Sequence, residues 1–270
     1  MEPVILFRTD WTTEEEFRIA EKYFPVVKSR SLCKNQIVIG RYSCLPFYRE
    51  LEEDLKYNDC KLVNSYEQHR WIANFDYYNV LKDYTFETWD DTNFCFAPEG
   101  EYVVKGRTNS RKFQFKKMMY APNKRIALEI ACELINNDPM ILEQGIIYRK
   151  YVPLKTFEIG MNGLPFSSEY RLFFFGDREL CNGYYWSLAE NAEKYETPDE
   201  GIIFAKKIAT IVSEYTKFFV LDIAEKEAGG WVLVEINDGG CSGLSMCNPG
   251  ELYKNLFDDI KISIDFGYSV

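Results

Sequence analysis

Three oxygen-bearing side chains, those of Asp222, Glu235 and Asn237, lie within two apolar segments near the C-terminus. A polar turn ending in two glycines separates the segments, so residues 218–240 are predicted to form a β-hairpin. Side chains alternate along a strand, so Glu235 and Asn237 point to one face, which Asp222 can reach from the partner strand. Buried carboxylates need a compensating cation, and hard oxygen ligands suit Mg²⁺. Because Mg²⁺ held by few protein groups commonly binds phosphates too, the hairpin predicts a magnesium–nucleotide site.

A lysine and a basic loop supply candidate phosphate ligands. Lys105 ends a predicted strand at 101–105 and precedes a glycine, which suits a point charge that meets phosphate. A solvated strand-end lysine is the alternative. The next loop carries Arg107, Ser110 and Lys112, which could cover a triphosphate or form a solvated basic loop. The Gly-x-x-x-x-Gly-Lys phosphate loop is absent from this segment.

Two further segments carry arginines in predicted strands. Arg149, Tyr151 and Val152 lie where a strand ends at a proline, and such an exit could offer backbone groups to an adenine edge. Arg171 stands in the run Tyr-Arg-Leu-Phe-Phe-Phe and shares a face with Glu169. A buried arginine needs an anionic partner, so Arg171 is expected to bind either a protein carboxylate or a phosphate or acyl phosphate.

The composition limits the possible functions. The chain has 270 residues and a net charge of −10, which argues against a general affinity for nucleic acid or anionic lipid. No apolar run approaches the roughly 20 residues that span a bilayer. Eight scattered cysteines without a Cys-x-x-Cys pair, and no signal peptide, favour reduced thiols in a cytoplasm. His69 is the only histidine, which excludes a zinc site with two histidines and favours chemistry by carboxylates, lysines and arginines.

The N-terminal third alternates short strands and helices, which is typical of a small α/β layer. Strands are predicted at 4–7, 36–40 and 61–63, and helices at 13–23, 46–57 and 65–82. A Thr13-x-x-Glu16 capping box is predicted to open the first helix. The composition changes near Asp90, so residues 1–90 are predicted as an N-terminal domain.

The remainder, 91–270, is predicted as a second domain with a small lobe at 91–153 and a large lobe at 154–270. Helices are expected at 122–137 and at 197–216, and strands at 101–105, 145–152, 157–161, 170–175 and 180–185. Turns at Asn162-Gly163 and Gly176-Asp177 are predicted to join the last three strands as an antiparallel set.

The order of these features resembles the ATP-grasp superfamily from about Asn64 to the C-terminus. VVKGRTNSRK is similar to the phosphate-binding lysine strand and its flap, and IIYRKYVPL to the adenine-hinge strand. SEYRLFFFG resembles the arginine strand of the ribosomal-protein glutamate-ligase branch, and LDIA followed by VEIN resembles the magnesium hairpin. Asn64-Ser65 resembles the lead-in to the nucleotide-binding half. The resemblance is greatest to the clade marked by two arginines and a lysine, found in bacterial and phage genomes.

The resemblance implies an ATP-grasp fold of α/β and α+β type, with ATP held between two antiparallel-sheet lobes. It implies a carboxylate–amine ligase that uses ATP and Mg²⁺, forms an acyl phosphate, and acts on an amino acid, a peptide or a protein end. A kinase on the same scaffold and a non-catalytic nucleotide-binding module are the alternatives. The implied partners are therefore a small-molecule or peptide carboxylate and an amine.

The implied roles follow the motifs residue by residue. Arg171 and Lys105 are the expected catalytic residues, and Asp222, Glu235 and Asn237 the expected metal ligands. The expected ATP ligands are Lys105, Arg107, Ser110, Lys112, Arg149, Tyr151 and Val152. One departure concerns the acceptor: several ligases place an arginine after the strand at 180–186, where this chain has Tyr184, Tyr185 and Trp186.

Overall fold

The structure, a computed structural model, describes residues 1–8, 13–160 and 163–265. Its N-terminal domain contains four parallel strands: β1 (Glu2–Phe7), β2 (Val26–Val27), β3 (Gln36–Arg41) and β4 (Lys61–Leu62), in the spatial order β2-β1-β3-β4. Helices α1 (Glu14–Ala20) and α2 (Tyr48–Tyr57) are its first two helices. Leu51 and Leu55 of α2 are buried against Val38 of β3, as their helical spacing predicts.

The helix predicted at 65–82 is two helices, α3 (Tyr66–Ala73) and α4 (Tyr78–Leu81). Ser65 and Gln68 form a reciprocal capping box at the start of α3. The break comes at Phe75, whose φ of +67° lies in the left-handed region that a helix does not use. The chain turns there because the side chain of Phe75 is buried in a core shared with the large lobe.

The small lobe is a second, antiparallel sheet with its own core. Its strands are β5 (Thr88–Asp90), β6 (Tyr102–Gly106), β7 (Tyr120–Ala121) and β8 (Ile146–Lys150), in the order β5-β8-β6-β7. Helices α5 (Phe115–Met118), α6 (Lys124–Asn137) and α7 (Pro139–Gln144) accompany it. Ala127, Ile130 and Leu134 of α6 are buried on the sheet. Because β5 pairs with β8, this sheet begins three residues before the predicted boundary at residue 91.

The large lobe contains a second antiparallel sheet of four strands and a small hairpin. The hairpin pairs β9 (Thr156–Ile159) with β10 (Pro165–Ser167). The sheet has β11 (Glu169–Phe175), β12 (Arg178–Tyr184), β13 (Phe218–Glu225) and β14 (Trp231–Asp238), in the order β12-β11-β13-β14. Helices α8 (Asp199–Val212) and α9 (Pro249–Asp265) complete the lobe.

One face of this sheet is divided between packing and chemistry. Phe173 and Val220 are buried in a core shared with the N-terminal strands and α9. Further along the same strands, Arg171 and Asp222 lie on the same face, because side chains two residues apart share a face. The N-terminal domain therefore covers the apolar half of the face and leaves the polar half opposite the small lobe.

Several predicted elements differ from the structure. The strand at 157–161 leads to β10 and not directly to β11; Met161 and Asn162 of its predicted turn lie outside the described residues. Glu16 does not complete a capping box, because its Oε1 accepts hydrogen bonds from Arg41 and Tyr253. The first helix ends at Ala20 and not at Tyr23. Helix α9 was not predicted. No described helix is both long and apolar enough to cross a membrane.

Candidate active site

The β13–β14 hairpin brings the three predicted metal ligands together. Asp222 lies directly opposite Glu235 in the strand register. Asn237 Nδ2 donates a hydrogen bond to Asp222 Oδ2 at 3.2 Å. A β-bulge follows Asp222, and the turn closes with Gly229 and Gly230 at positive φ. The shared polar face predicted from alternation is thus present.

Arg171 binds Asp222 through two parallel hydrogen bonds. Its Nε and Nη2 atoms donate to the two carboxylate oxygens, both at 2.8 Å, and Nη1 donates to the carbonyl of Gly243 at 2.7 Å. The guanidinium also lies 4.9 Å from the ring centroid of Tyr185. Burial alone disfavours the charged guanidinium, but the charge and hydrogen bonds of Asp222 outweigh it and raise the pKa of Arg171. In this structure, the anionic partner of Arg171 is a protein carboxylate.

A second ion pair crosses from one lobe to the other. Lys105 of β6 binds Glu235 of β14, and only 7% of Lys105 is exposed. Lys105 is therefore not a solvated strand end. Together the two pairs place two cations and two carboxylates in one interlobe cleft.

The flap after β6 contributes unequally to this cleft. Ser110 and Lys112 line it, and Lys112 Nζ donates to Tyr185 Oη at 2.8 Å. Burial lowers the pKa of the Lys112 ammonium. Arg107 lines a neighbouring cavity, donates to the carbonyl of Asn74 at 2.9 Å, and stands 3.6 Å from Asp90. The structure therefore does not bring Arg107 to the other predicted ATP ligands.

The other end of the cleft is largely apolar. Tyr151 and Val152 line it at the strand exit after β8. Apolar side chains complete this wall: Val103, Phe115, Met119, Leu154, Leu164 and Trp186. The size and composition of such a wall suit a flat aromatic ring with few polar contacts.

Arg149 touches the cleft but directs its guanidinium into the protein. Nη2 donates to Thr85 Oγ1 at 2.7 Å, and Nη1 donates to the carbonyl of Val234. The guanidinium also lies 4.7 Å from the ring centroid of Phe86. The side chain thus ties β8 to β14, and only the main chain of this residue is free for a ligand.

Glu169 is a buried carboxyl that the sequence placed beside Arg171 without a role of its own. It lines the cleft and accepts a hydrogen bond from Ser167 Oγ at 3.2 Å. Burial, and then the charge of Asp222, raise the pKa of Glu169 to about 8, although Lys112 acts in the opposite direction. At neutral pH Glu169 is mainly protonated and can donate a hydrogen bond.

The sequence also missed a polar network where β14 meets the N-terminal domain. Asp238 Oδ2 lies 3.2 Å from His69 Nδ1, and it accepts hydrogen bonds from Asn64 Nδ2 at 3.1 Å and Tyr48 Oη at 3.3 Å. His69, Asp238 and Cys241 have potential metal-ligand atoms within 4.8 Å of one another. The donors around Asp238 already compensate its charge, so this group is a hydrogen-bond network. No sequence signal could reveal it, because His69 and Asp238 are 169 residues apart.

Comparisons with known proteins agree with this geometry. The family model that matches is the ATP-grasp domain of the clade named for two arginines and a lysine, family 3, and it covers residues 88–256. A search of curated proteins gave no significant match.

Solved structures share the fold at low sequence identity. A RimK domain ATP-grasp protein from Sphaerobacter thermophilus is 14% identical, with a TM-score of 0.55 over 94% of this chain and 99% of that chain. The D-cycloserine synthetase DcsG is 10% identical, with a TM-score of 0.59 over 96% and 99%. D-alanine–D-alanine ligase from Bacillus anthracis, complexed with ATP, is 9% identical, with a TM-score of 0.58 over 97% and 98%. With the family model matching more than half of its length, the chain belongs to the ATP-grasp family, in the third family of the clade named for two arginines and a lysine.

Proposed function

We propose that the protein is an ATP-dependent carboxylate–amine ligase. The observation that carries this proposal is the pair of ion pairs, Lys105–Glu235 and Arg171–Asp222, beside an apolar cleft end. Each pair can exchange partners when Mg²⁺–ATP arrives, because the phosphates are anions for the cations and the metal is a cation for the carboxylates. The apolar end then receives the adenine ring.

The residues present fit a magnesium site. Asp222, Glu235 and Asn237 offer hard oxygen ligands on one face, and Asn237 touches Asp222. Both carboxylates already contact cations, so positive charge is compatible with this face. Mg²⁺ bound here would neutralise charge on the ATP phosphates.

In the proposed reaction, a substrate carboxylate attacks the γ-phosphate and yields an acyl phosphate and ADP. An amine then displaces phosphate and forms the amide. Lys105 holds the phosphates, Arg171 stabilises the transferred phosphoryl group, and Ser110 and Lys112 cover it. The main chain at Tyr151 and Val152 binds the adenine edge. Such a reaction depends mainly on alignment and charge neutralisation, which this cleft supplies without a histidine.

The named relatives support this reaction class. Two of the similar structures are a D-alanine–D-alanine ligase complexed with ATP and a D-cycloserine synthetase. For this chain we propose that the carboxylate belongs to an amino acid, a peptide or a protein end, and that the acceptor is an amine.

Oxygen-isotope transfer tests the proposal. Amino acids and short peptides are first screened in pairs for ADP release, and the active acid is then labelled with ¹⁸O in its carboxylate. Ligation through an acyl phosphate moves one ¹⁸O atom into inorganic phosphate and produces an amide seen by mass spectrometry. A phosphorylated product without an amide would favour the kinase. ATP binding without turnover of any pair would favour the non-catalytic module.

A further inference from the structure

A second cavity lies between the N-terminal domain and the small lobe. Tyr48, His69 and Arg70 line it from the N-terminal side. Arg107, which follows β6, and Gln144, at the end of α7, line it from the small lobe. Two parts of the chain with different cores thus meet around a polar space, which is a common position for a ligand site.

Two nitrogen atoms of residues in its wall are unsatisfied. His69 is 4% exposed, and its Nε2 has no hydrogen-bond partner among the described residues. The same holds for Nε of Arg107 in the described part of the chain. Arg107 makes one good hydrogen bond, to Asn74, and its 3.6 Å contact with Asp90 is long for a guanidinium with five donors. Buried polar atoms without partners are unfavourable, so a ligand that supplies them stabilises this wall.

The charges around the cavity indicate which ligand would fit. Arg70 and Arg107 are cations, and Glu143 is the acidic side chain among the described lining residues. Arg70 pairs with Glu67 at 2.6 Å, but both side chains are half-exposed or more, and such surface pairs are weak. Guanidinium groups bind carboxylates through parallel hydrogen bonds. Two arginines and one glutamate match a molecule that carries a carboxylate and an ammonium.

The cavity adjoins the phosphate end of the cleft. Lys105 lines the cleft, and Arg107, two residues further along, lines the cavity, a separation of about 7 Å along extended chain. On the other side, β14 carries Asn237 on the cleft face, and the next residue, Asp238, binds His69. A ligand in this cavity is therefore close to the groups proposed to hold the phosphates.

We propose that this cavity binds the carboxylate substrate, as an amino acid or a peptide end, with Arg107 contacting the carboxylate beside the imidazole of His69. The inference rests on the proposed ligase function and names the substrate site for it. Arg107 offsets the charge that would otherwise repel the carboxylate from ATP. One carboxylate oxygen forms a bond to the γ-phosphorus, and the bond from that phosphorus to the bridging oxygen breaks, with its electron pair leaving on ADP.

The single histidine makes the cavity directly observable. Protein labelled with ¹⁵N only in histidine gives the two imidazole nitrogens of His69 and no others. With Mg²⁺ and a non-hydrolysable ATP analogue present, we titrate each standard L-amino acid and glycylglycine. At least one of these probes should shift the Nε2 signal saturably.

Arginine variants provide the controls. Arg107→Gln should weaken the affinity for that probe at least about tenfold, and Arg107→Lys, which keeps the charge, should weaken it less. Arg111→Gln alters the same flap, but Arg111 pairs with Asp138 at 2.9 Å away from the cavity lining, so the shift should persist. The histidine signal without probe reports whether each variant keeps the native environment of the ring.

Two results would overturn the proposal: no shift with any probe, or the same affinity in Arg107→Gln. The ligase proposal stands or falls separately. Amide formation with an unmoved His69 signal refutes the cavity and retains the ligase. A saturable shift that Arg107→Gln removes, with no ADP released when ATP replaces the analogue, supports the cavity and refutes the ligase.

Discussion

Two buried arginines face each other's lobes and are balanced in different ways. Arg171 is on an interior strand of the large-lobe sheet and has a carboxylate partner, Asp222. Arg149 is on an interior strand of the small-lobe sheet, and its described partners are hydroxyl and carbonyl oxygens and aromatic faces. Burial lowers the pKa of Arg149, whereas Asp222 raises that of Arg171. An arginine whose partner can take another cation is free to bind phosphate, while one fixed by neutral dipoles is part of the frame.

The largest expected effect tests this difference directly. Arg171→Met leaves Asp222 as a buried carboxylate without its cation, and should lower the free energy of unfolding by about 3–5 kcal/mol. Arg149→Met removes no partner of opposite charge, and should cost only about 1–2 kcal/mol. Urea unfolding of both variants, without nucleotide or metal, measures the contrast.

Mg²⁺ sharpens the same comparison. If Asp222 is a metal ligand, millimolar Mg²⁺ should restore part of the stability lost in Arg171→Met and leave Arg149→Met unchanged. Equal losses in the two variants, or equal responses to Mg²⁺, would show that the two arginines do not differ in the way described.

Next in size is the loss of a carboxylate from the exchanging pairs. Glu235→Gln should lower turnover by about 10²–10³, because removal of one such charged group commonly costs about 2.7–4 kcal/mol of transition-state stabilisation. Its control is Glu225→Gln on the neighbouring strand, where Glu225 pairs with Lys155 at 2.8 Å at the surface. ADP release by the two variants is compared at saturating ATP, and retained turnover in Glu235→Gln would remove this residue from the metal site.

A smaller effect concerns proton binding at Glu169. The folded protein holds a proton on Glu169 up to a pKa of about 8, whereas the unfolded chain releases it near the ordinary value of 4.5. Between these values the unfolded state binds fewer protons, so the stabilising contribution is lost as the pH rises. The slope is at most about 1.4 kcal/mol per pH unit.

The slope is measured by urea unfolding from pH 5 to pH 8, without metal or nucleotide. Glu169→Gln should flatten the curve in this window, and the surface variant Glu225→Gln should leave it in place. A wild-type protein whose stability rises across the window would contradict a protonated Glu169.

Local patterns predicted much of this molecule because their cause is local. The alternation of Asp222, Glu235 and Asn237 with apolar residues follows from the strand period, so the hairpin face could be read in advance. Helix α9 also had a readable signal, since Leu252, Leu256 and Ile260 recur at helical spacing after Pro249.

Pairings between distant segments could not be predicted from those patterns. Arg171 meets Asp222 only because β11 lies between β12 and β13, an order that tertiary packing sets. The basic residues of the flap likewise carry no local sign of direction, yet Lys112 turns to Tyr185 and Arg107 to Asn74. Strand periodicity gives the face on which a side chain lies, and not the element that will stand opposite it.

Asn64 joins the N-terminal domain to both strands of the hairpin. Its side-chain amide exchanges two hydrogen bonds with the main chain of Phe218, at 2.6 and 2.9 Å, and also donates to Asp238. These two parts also share a core, whereas the buried core of the small lobe is made only of residues between 94 and 148. We expect a two-body machine: the N-terminal domain and hairpin form the stationary jaw, and the small lobe swings to admit and release nucleotide.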